Sequence, residues 1–341
     1  MVKISIIIAN HQANKLFFNT LASVINSWVS YSEVIVVNNG LNLENTSKIK
    51  LWQKQHKSPL IKFLNLEEGN PSLARNMGAK KAKGRYLLFL DNDTQVKKDW
   101  LDNVTGYLDN HPHVGAGQLK LLRIGNNTFD SAGELITANG FLVERAREAL
   151  DNGQFNKASQ TFSGKGAAMI IRRKLFYKIG GFDRDYIYYW EEPDLMWRVW
   201  KAGFQVKFLW MGCVTHAYGS QAKPTPLIPE SNQVYFACRN QILTIAKNAV
   251  GWHLWRMLFW VGLAWSGLLV LMLLKCQWNQ AKSIVRAFGW LLSNIGLILR
   301  KRKWVQTNLK SSDSWIKQLF VKQGISWYAG KALAYISGRG F

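Results

Sequence analysis

At 341 residues, with 48% hydrophobic side chains, the chain exceeds an ordinary domain of ~100–200 residues and can bury a full core. A net charge of +23 and a pI of about 10.0 call for an anionic partner: nucleic acid, a phosphorylated substrate or acidic lipid. Three cysteines, Cys213, Cys238 and Cys276, form no CxxC pair and are odd in number, and read as reduced thiols in a cytosolic compartment.

The chain opens on an apolar strand, Val2–Ala9, with no small-residue cleavage site after it, so no signal peptide is expected. Strand-length runs at Ile4–Ala9, Val34–Val37, Ile61–Leu66 and Tyr86–Leu90 alternate with helix-length patterns at Leu16–Trp28, Leu43–His56 and Ser72–Lys83. That alternation predicts an α/β fold, a Rossmann-like, mostly parallel sheet with helices on both faces. In such sheets ligands bind beyond the carboxyl ends of the strands. Residues 114–180 are less regular, with one further buried strand predicted at Ala167–Ile171. A helix is predicted from Pro193 to Lys201, with Pro in its first turn and Gly203 near its end. The prolines Pro224, Pro226 and Pro229 read as a loop or linker.

Beyond the linker, Met257–Leu274 is an 18-residue apolar stretch interrupted only by Ser266, and Phe288–Leu299 is a second, shorter one. The first reaches ~27 Å, barely a bilayer core. From Gln241 onward nine Lys and five Arg face one acid, Asp313, and nine of the 16 Trp lie there. Cationic, Trp-rich and apolar together, this region reads as membrane-associated, a helical hairpin in or dipping into the cytoplasmic leaflet, with anionic lipid as partner. A true span or a soluble helical subdomain are the other readings. The expected organisation is a catalytic domain at 1–222, a linker or active-site loop at 223–240 and a membrane-associated helical region at 241–341.

Two acidic clusters carry candidate chemistry. Asp91-Asn92-Asp93 ends the run Tyr86–Leu90, placing two carboxylates at i and i+2 past a strand, where they can hold a divalent cation for phosphate oxygens. A plain polar turn uses the same residues. Glu191-Glu192-Pro193-Asp194 opens the later helix beside Tyr188, Tyr189 and Trp190. It either complements the helix dipole or supplies a general base in aromatic company suited to sugar rings. His216 follows the runs Val206–Trp210 and Cys213-Val214 and is a candidate ligand.

In order, Ser5–Asn10, Val36-Val37-Asn38-Asn39, Leu73–Gly78, Gly84–Asp93, Gly166–Arg173, Gly180-Gly181-Phe182-Asp183, Glu191–Leu195 with Arg198, and His216 resemble the inverting family 2 glycosyltransferases of the GT-A fold. The resemblance covers roughly Val2 to Gly219. Ala9 stands where a Pro is common, Asn38 where Asp is usual, and Glu192 where the family usually carries the Asp that deprotonates the acceptor hydroxyl. The resemblance implies that Asp93, with His216, ligates Mg2+ or Mn2+. It places Ala9, Asn38, Arg75, Asp91 and Asp93 on a nucleotide-sugar donor (UDP-, dTDP- or GDP-sugar). It makes Glu192 the base with Glu191 as competitor, and sets Trp190 and Asp194 near the acceptor. The second half most resembles rhamnosyltransferase-like members that build cell-surface polysaccharide on a polyprenyl carrier. A processive synthase would add several spans and a Gln-x-x-Arg-Trp element, from which Gln233 and Arg239 depart. A catalytically inactive sugar-binding relative is the second alternative. A basic nucleic-acid binder is the third, and it leaves the acidic clusters unexplained.

Overall fold

The computed structural model describes residues 2–27, 32–56, 61–97, 100–217, 230–309, 315–324, 326–327 and 330. Trp28 of the first expected helix, Tyr218 and Gly219 at the end of the family-like segment, and residues 223–229 of the expected linker lie outside the described residues. The described chain forms two compact units. Unit 1 comprises residues 1–134, 144–185 and 204–223, and unit 2 comprises 135–143, 186–203 and 224–341.

Unit 1 begins as strand-helix alternation: β1 (Ile4–Asn10), α1 (Lys15–Asn26), β2 (Ser32–Asn39), α2 (Leu43–Gln55), β3 (Ile61–Leu66), α3 (Pro71–Lys81) and β4 (Tyr86–Asp91). β5 (Thr94–Val96), α4 (Trp100–Asn110), β6 (Val114–Arg123) and β7 (Phe129–Ser131) follow. Each of the first three helices starts on an asparagine. Asn14 accepts from the Phe17 N–H, Asn42 from the Asn45 N–H and Asn70 from the Leu73 N–H, with Pro71 in the first turn of α3. The strands β1, β2 and β4 are buried almost throughout, which is why they read as unbroken apolar runs. Ile6 and Ile8 join a core with Phe17, Leu21 and Val24 of α1 and Leu101, Val104 and Leu108 of α4. Ile7 points the other way, against Gly78 of α3, where an added Cβ would sit 2.5 Å from the Ile7 side chain. Helices therefore cover both faces of the sheet.

The rest of the sheet comes from β10 (Ser159–Gln160), β11 (Ala168–Arg172), which leads into α5 (Arg173–Lys178), and β12 (Gln205–His216). Strand order is β10-β12-β6-β11-β4-β1-β2-β3, with β5 on β12 and β7 on β6. β1 runs parallel to β2 and β4, β2 to β3, and β12 to β6, while β11 is antiparallel to both neighbours. The register of β12 shifts between Leu209 and Cys213, where the sequence already split the strand in two.

Unit 2 contains α6 (Glu191–Lys201), α7 (Glu230–Asn248), α8 (Gly251–Leu274), α9 (Trp278–Ser293), α10 (Ile295–Asn308) and α11 (Ile316–Leu319). A small sheet sets β13 (Phe320–Val321) beside β8 (Glu134–Thr137), which pairs with β9 (Leu142–Glu144). Two expectations change here. Residues 230–240, read as linker, are the first half of α7; its buried residues mix polar side chains (Arg239, Asn240, Gln241, Thr244) with apolar ones (Val234, Ala237, Leu243), so apolar periodicity does not reveal it. Residues 186–203, expected inside the 1–222 domain, belong to unit 2 because polar bonds tie them to α7. Among the described residues, α8 is the one helix long and apolar enough to cross a membrane. It buries Met257, Val261, Trp265, Leu268 and Met272 as a stripe and exposes Trp252, Trp255, Phe259, Trp260 and Leu263. The second apolar stretch, Phe288–Leu299, straddles a 67° bend between α9 and α10.

Candidate active site

The carboxyl ends of four parallel strands set the polar groups of unit 1 side by side. Pairing registers place Asp91 of β4 beside Ala9 of β1, Asn10 beside Asn38 of β2, and Asn38 beside Asn65 of β3. The turn after β4 then presents Asn92 and Asp93. Asn92 donates to Asn10 Oδ1 at 2.9 Å and the Thr94 hydroxyl to the Asp91 carbonyl at 2.8 Å, which closes the turn. β5 pairs with β12, setting Thr94 against His216, and this brings the imidazole to Asp93.

His216 Nε2 lies 3.1 Å from Asp93 Oδ1, and Nδ1 lies 3.0 Å from Asp130 Oδ2 on β7. Asp130 is fully buried and also takes the Lys165 ammonium at 3.0 Å. Burial opposes charge on the His216 ring, but hydrogen bonds and attraction from the two carboxylates outweigh it and push the pKa up to about 10. Burial would likewise raise both acids, yet the His216 hydrogen bond holds Asp93 below the ordinary carboxylate range and, with Lys165, holds Asp130 well below it. Arg75 of α3, itself buried, donates to Asp91 Oδ1 at 3.0 Å and lies over the Phe182 ring. Asp91, Asp93 and His216 each offer one ligand atom, all within 4.8 Å of one another. Two carboxylates and an imidazole whose far nitrogen is fixed by a carboxylate form a donor set suited to a divalent ion.

Three residues of this arrangement escaped the sequence reading. Asp130 sits in an irregular stretch with no motif around it. His11 directly follows β1, and the strand-end rule that singled out Asp91 applies to it equally. Desolvation at its position outweighs the attraction of Asp91 and Asp93 and lowers its pKa. Asn65 donates nothing to the motifs but holds Asn38 Nδ2 at 2.9 Å, leaving the buried Asn38 Oδ1 with no partner.

The other candidates belong to unit 2. Tyr189 and Trp190 both have left-handed backbones, φ 63° and 71°, immediately before α6. Each costs about 1–2 kcal/mol for a non-glycine residue. Glu191, Glu192 and Asp194 occupy the first turn of α6, where the helix dipole favours them. Glu191 is buried, Glu192 half-buried, and Trp190 packs on a cluster of Tyr186, Leu243, Leu291 and Ile298. Asp194 corrects an expectation. Placed near the acceptor by the resemblance, it is fully buried and its carboxylate is taken by Arg198 at 2.7 Å, Lys247 at 2.8 Å and Asn248 at 2.8 Å. It anchors α6 to α7 and has nothing left for a ligand.

Residues 5–180, just over half the chain, match the sequence model of Glycosyl transferase family 2. The chain belongs to that family. The O-antigen biosynthesis protein RfbC of Myxococcus xanthus is 28% identical over 209 residues, 59% of this chain but 16% of that protein. The poly(ribitol-phosphate) beta-N-acetylglucosaminyltransferase TarS of Staphylococcus aureus is 25% identical over 112 residues, covering 33% of this chain and 20% of its own length. This family 2 glycosyltransferase thus spans only a fifth or less of those curated relatives. A structure of GalNAc-T7 with UDP, GalNAc and Mn2+ superposes at a TM-score of 0.57, 17% identity, over 72% of this chain and 48% of that one. The mannosyltransferase PcManGT of Pyrobaculum calidifontis, with GDP-Man and Mn2+, superposes at 0.52 and 14% identity, over 99% and 86%. At such identities the likeness carries the fold, which is GT-A.

Proposed function

We propose that this glycosyltransferase moves a sugar from a nucleotide-sugar donor to a lipid-linked saccharide acceptor at a membrane surface, inverting the anomeric carbon. The reading rests on the Asp91–Asp93–His216 cluster at the mouth of the sheet, with Asp130 fixing the ring from behind. Those three residues would hold Mn2+ or Mg2+, and the Mn2+ in both superposed transferase structures supports that choice. A divalent cation bound there neutralises the diphosphate leaving group.

The chain's own groups do the rest. The unpartnered Asn38 Oδ1 matches a nucleobase edge that offers a ring N–H, which uracil, thymine and guanine carry and cytosine lacks. Ala9, paired with Asp91 at the end of β1, would lie along the donor, and Arg75 steadies Asp91 toward it. Glu192, more accessible than Glu191, takes the proton of the acceptor hydroxyl. The freed oxygen forms a bond to the anomeric carbon opposite the diphosphate, and the old C–O bond breaks with its electron pair on the diphosphate. A dTDP-linked deoxysugar such as rhamnose fits the resemblance of the second half. The O-antigen relative, the +13 net charge after residue 240 and the exposed Trp face of α8 support a polyprenyl-linked acceptor on an anionic cytoplasmic leaflet.

The test is nucleoside diphosphate release by the full chain from UDP-, dTDP- and GDP-sugars, with and without Mn2+, in anionic vesicles carrying polyprenyl-diphosphate-linked sugar. Release that needs Mn2+ and falls about 10²–10⁴-fold in E192Q is expected. No release from any donor would favour an inactive sugar-binding relative.

A further inference from the structure

The backbone before α6 holds two consecutive left-handed residues, Tyr189 and Trp190, neither of them glycine. Such a turn persists only where its surroundings hold it. One side chain does so. Asn240, fully buried on α7, donates both hydrogens of Nδ2, to the Tyr188 carbonyl at 2.6 Å and to the Tyr189 carbonyl at 2.9 Å. Its Oδ1 accepts from Arg239 Nε at 2.8 Å, which fixes which end of the amide faces the turn. The Arg239 guanidinium is in turn held over the Tyr235, Phe236 and Trp290 rings.

Asn240 is the key position of a longer rail. Residues 236, 240, 244 and 248 recur every four positions along one face of α7. They meet the segment before and through the start of α6 one after another: the Phe236 ring lies 6.0 Å from that of Tyr188, Asn240 holds the turn, Thr244 bonds the Tyr186 hydroxyl at 2.9 Å, and Asn248 bonds Asp194 at 2.8 Å. Asn240 grips main chain of that segment, at the two carbonyls whose direction the left-handed turn sets. The residues that follow directly are Glu191 and Glu192.

We infer that Asn240 is a positioning residue for the acceptor-activating base, acting through the Tyr189–Trp190 turn; this rests on Glu192 being that base. Asparagine suits the role because one side chain must offer two donors on one nitrogen and an acceptor to Arg239. Aspartate keeps the shape and the Arg239 partner and loses both donors. N240D therefore tests the clamp without opening a cavity, and Y189N, which favours the left-handed conformation by itself, tests whether the turn carries the effect.

The experiment measures Mn2+-dependent nucleoside diphosphate release, with the donor among UDP-, dTDP- and GDP-sugars that gives the highest rate. Amide exchange of the 186–194 peptide is followed in parallel. In N240D, kcat is expected to fall at least tenfold with donor KM within twofold, the peptide to exchange faster, and Y189N/N240D to recover part of the rate. Unchanged kcat in N240D beside an inactive E192Q overturns the clamp and leaves the base in place. Activity surviving in E192Q removes the base reading itself. A rise in donor KM matching the loss in kcat, with faster exchange across the whole chain, reduces Asn240 to a fold residue and also overturns the inference.

Discussion

Removing the Asp194 carboxylate would leave two cations, Arg198 and Lys247, buried without their shared acid. Breaking such a buried cluster costs about 3–5 kcal/mol, so D194A should lower the denaturant midpoint strongly, whereas an acceptor-contact role would leave stability alone and raise acceptor KM. His216 carries a second expectation. Its folded pKa of about 10 lies above the ordinary value of about 6.5, so in the metal-free protein its stabilising contribution is complete below that ordinary value and lost as pH rises through about 10. Below about 10 a metal ion must displace the ring's proton. Mn2+ affinity should therefore rise about tenfold per pH unit between pH 7 and 9, and calorimetry in buffers of different ionisation heat should detect a released proton. At this scale the sequence marks Asp91, Asp93 and His216 because they end strands. It hides Asp130 and Asn240, whose roles arise only when segments 86 and about 50 residues away fold against them.

Among elements, the glycine at position 84 decides how β4 meets β1. A Cβ there would lie 2.5 Å from the Ser5 nitrogen and 2.6 Å from the Ile4 carbonyl carbon, both backbone atoms that cannot yield. The Gly84 N–H also donates to Ser5 Oγ, which donates on to Glu33. G84A should cost about 3 kcal/mol, at the upper end for overpacking. Gly106, inside α4 with nothing within 4 Å of an added Cβ, gives the opposite sign: G106A should stabilise by about 0.5–1 kcal/mol in the same urea titration. The first four strands and three helices are legible to within a few residues, because β1, β2 and β4 are buried almost throughout and strand-length runs alternate regularly with helix-length patterns. α7 is not, since its buried face carries Asn240, Gln241, Thr244, Lys247 and Asn248, and Pro229 before it reads as loop. α6 starts two residues before the proline that marks it in the sequence, because Pro193 is tolerated anywhere in a first turn and Glu191 leads the helix.

For the molecule as a whole, charge and exposed aromatic surface coincide in the C-terminal hundred residues. If α8 lies against lipid, the full chain should sediment with anionic vesicles and release as salt rises. Replacing Trp255 and Trp260 by Ser should weaken that binding by about tenfold or more, since burying an exposed aromatic is worth about 1.5–3 kcal/mol. Equal binding to neutral vesicles, insensitive to salt, would remove the electrostatic part. Family and fold reached the surface of the sequence through ordered motifs; the division into units did not, because it depends on which polar partners α6 finds.

The most direct test of the site is calorimetric titration of UDP-, dTDP- and GDP-sugars into wild-type protein and Asp93→Asn, each with Mn2+ and with EDTA. Donor binding should require Mn2+ in the wild type and weaken at least a hundredfold in the variant. Wild-type affinity that survives EDTA, or a variant that binds with Mn2+ as the wild type does, would contradict a donor held through a cation at Asp91, Asp93 and His216.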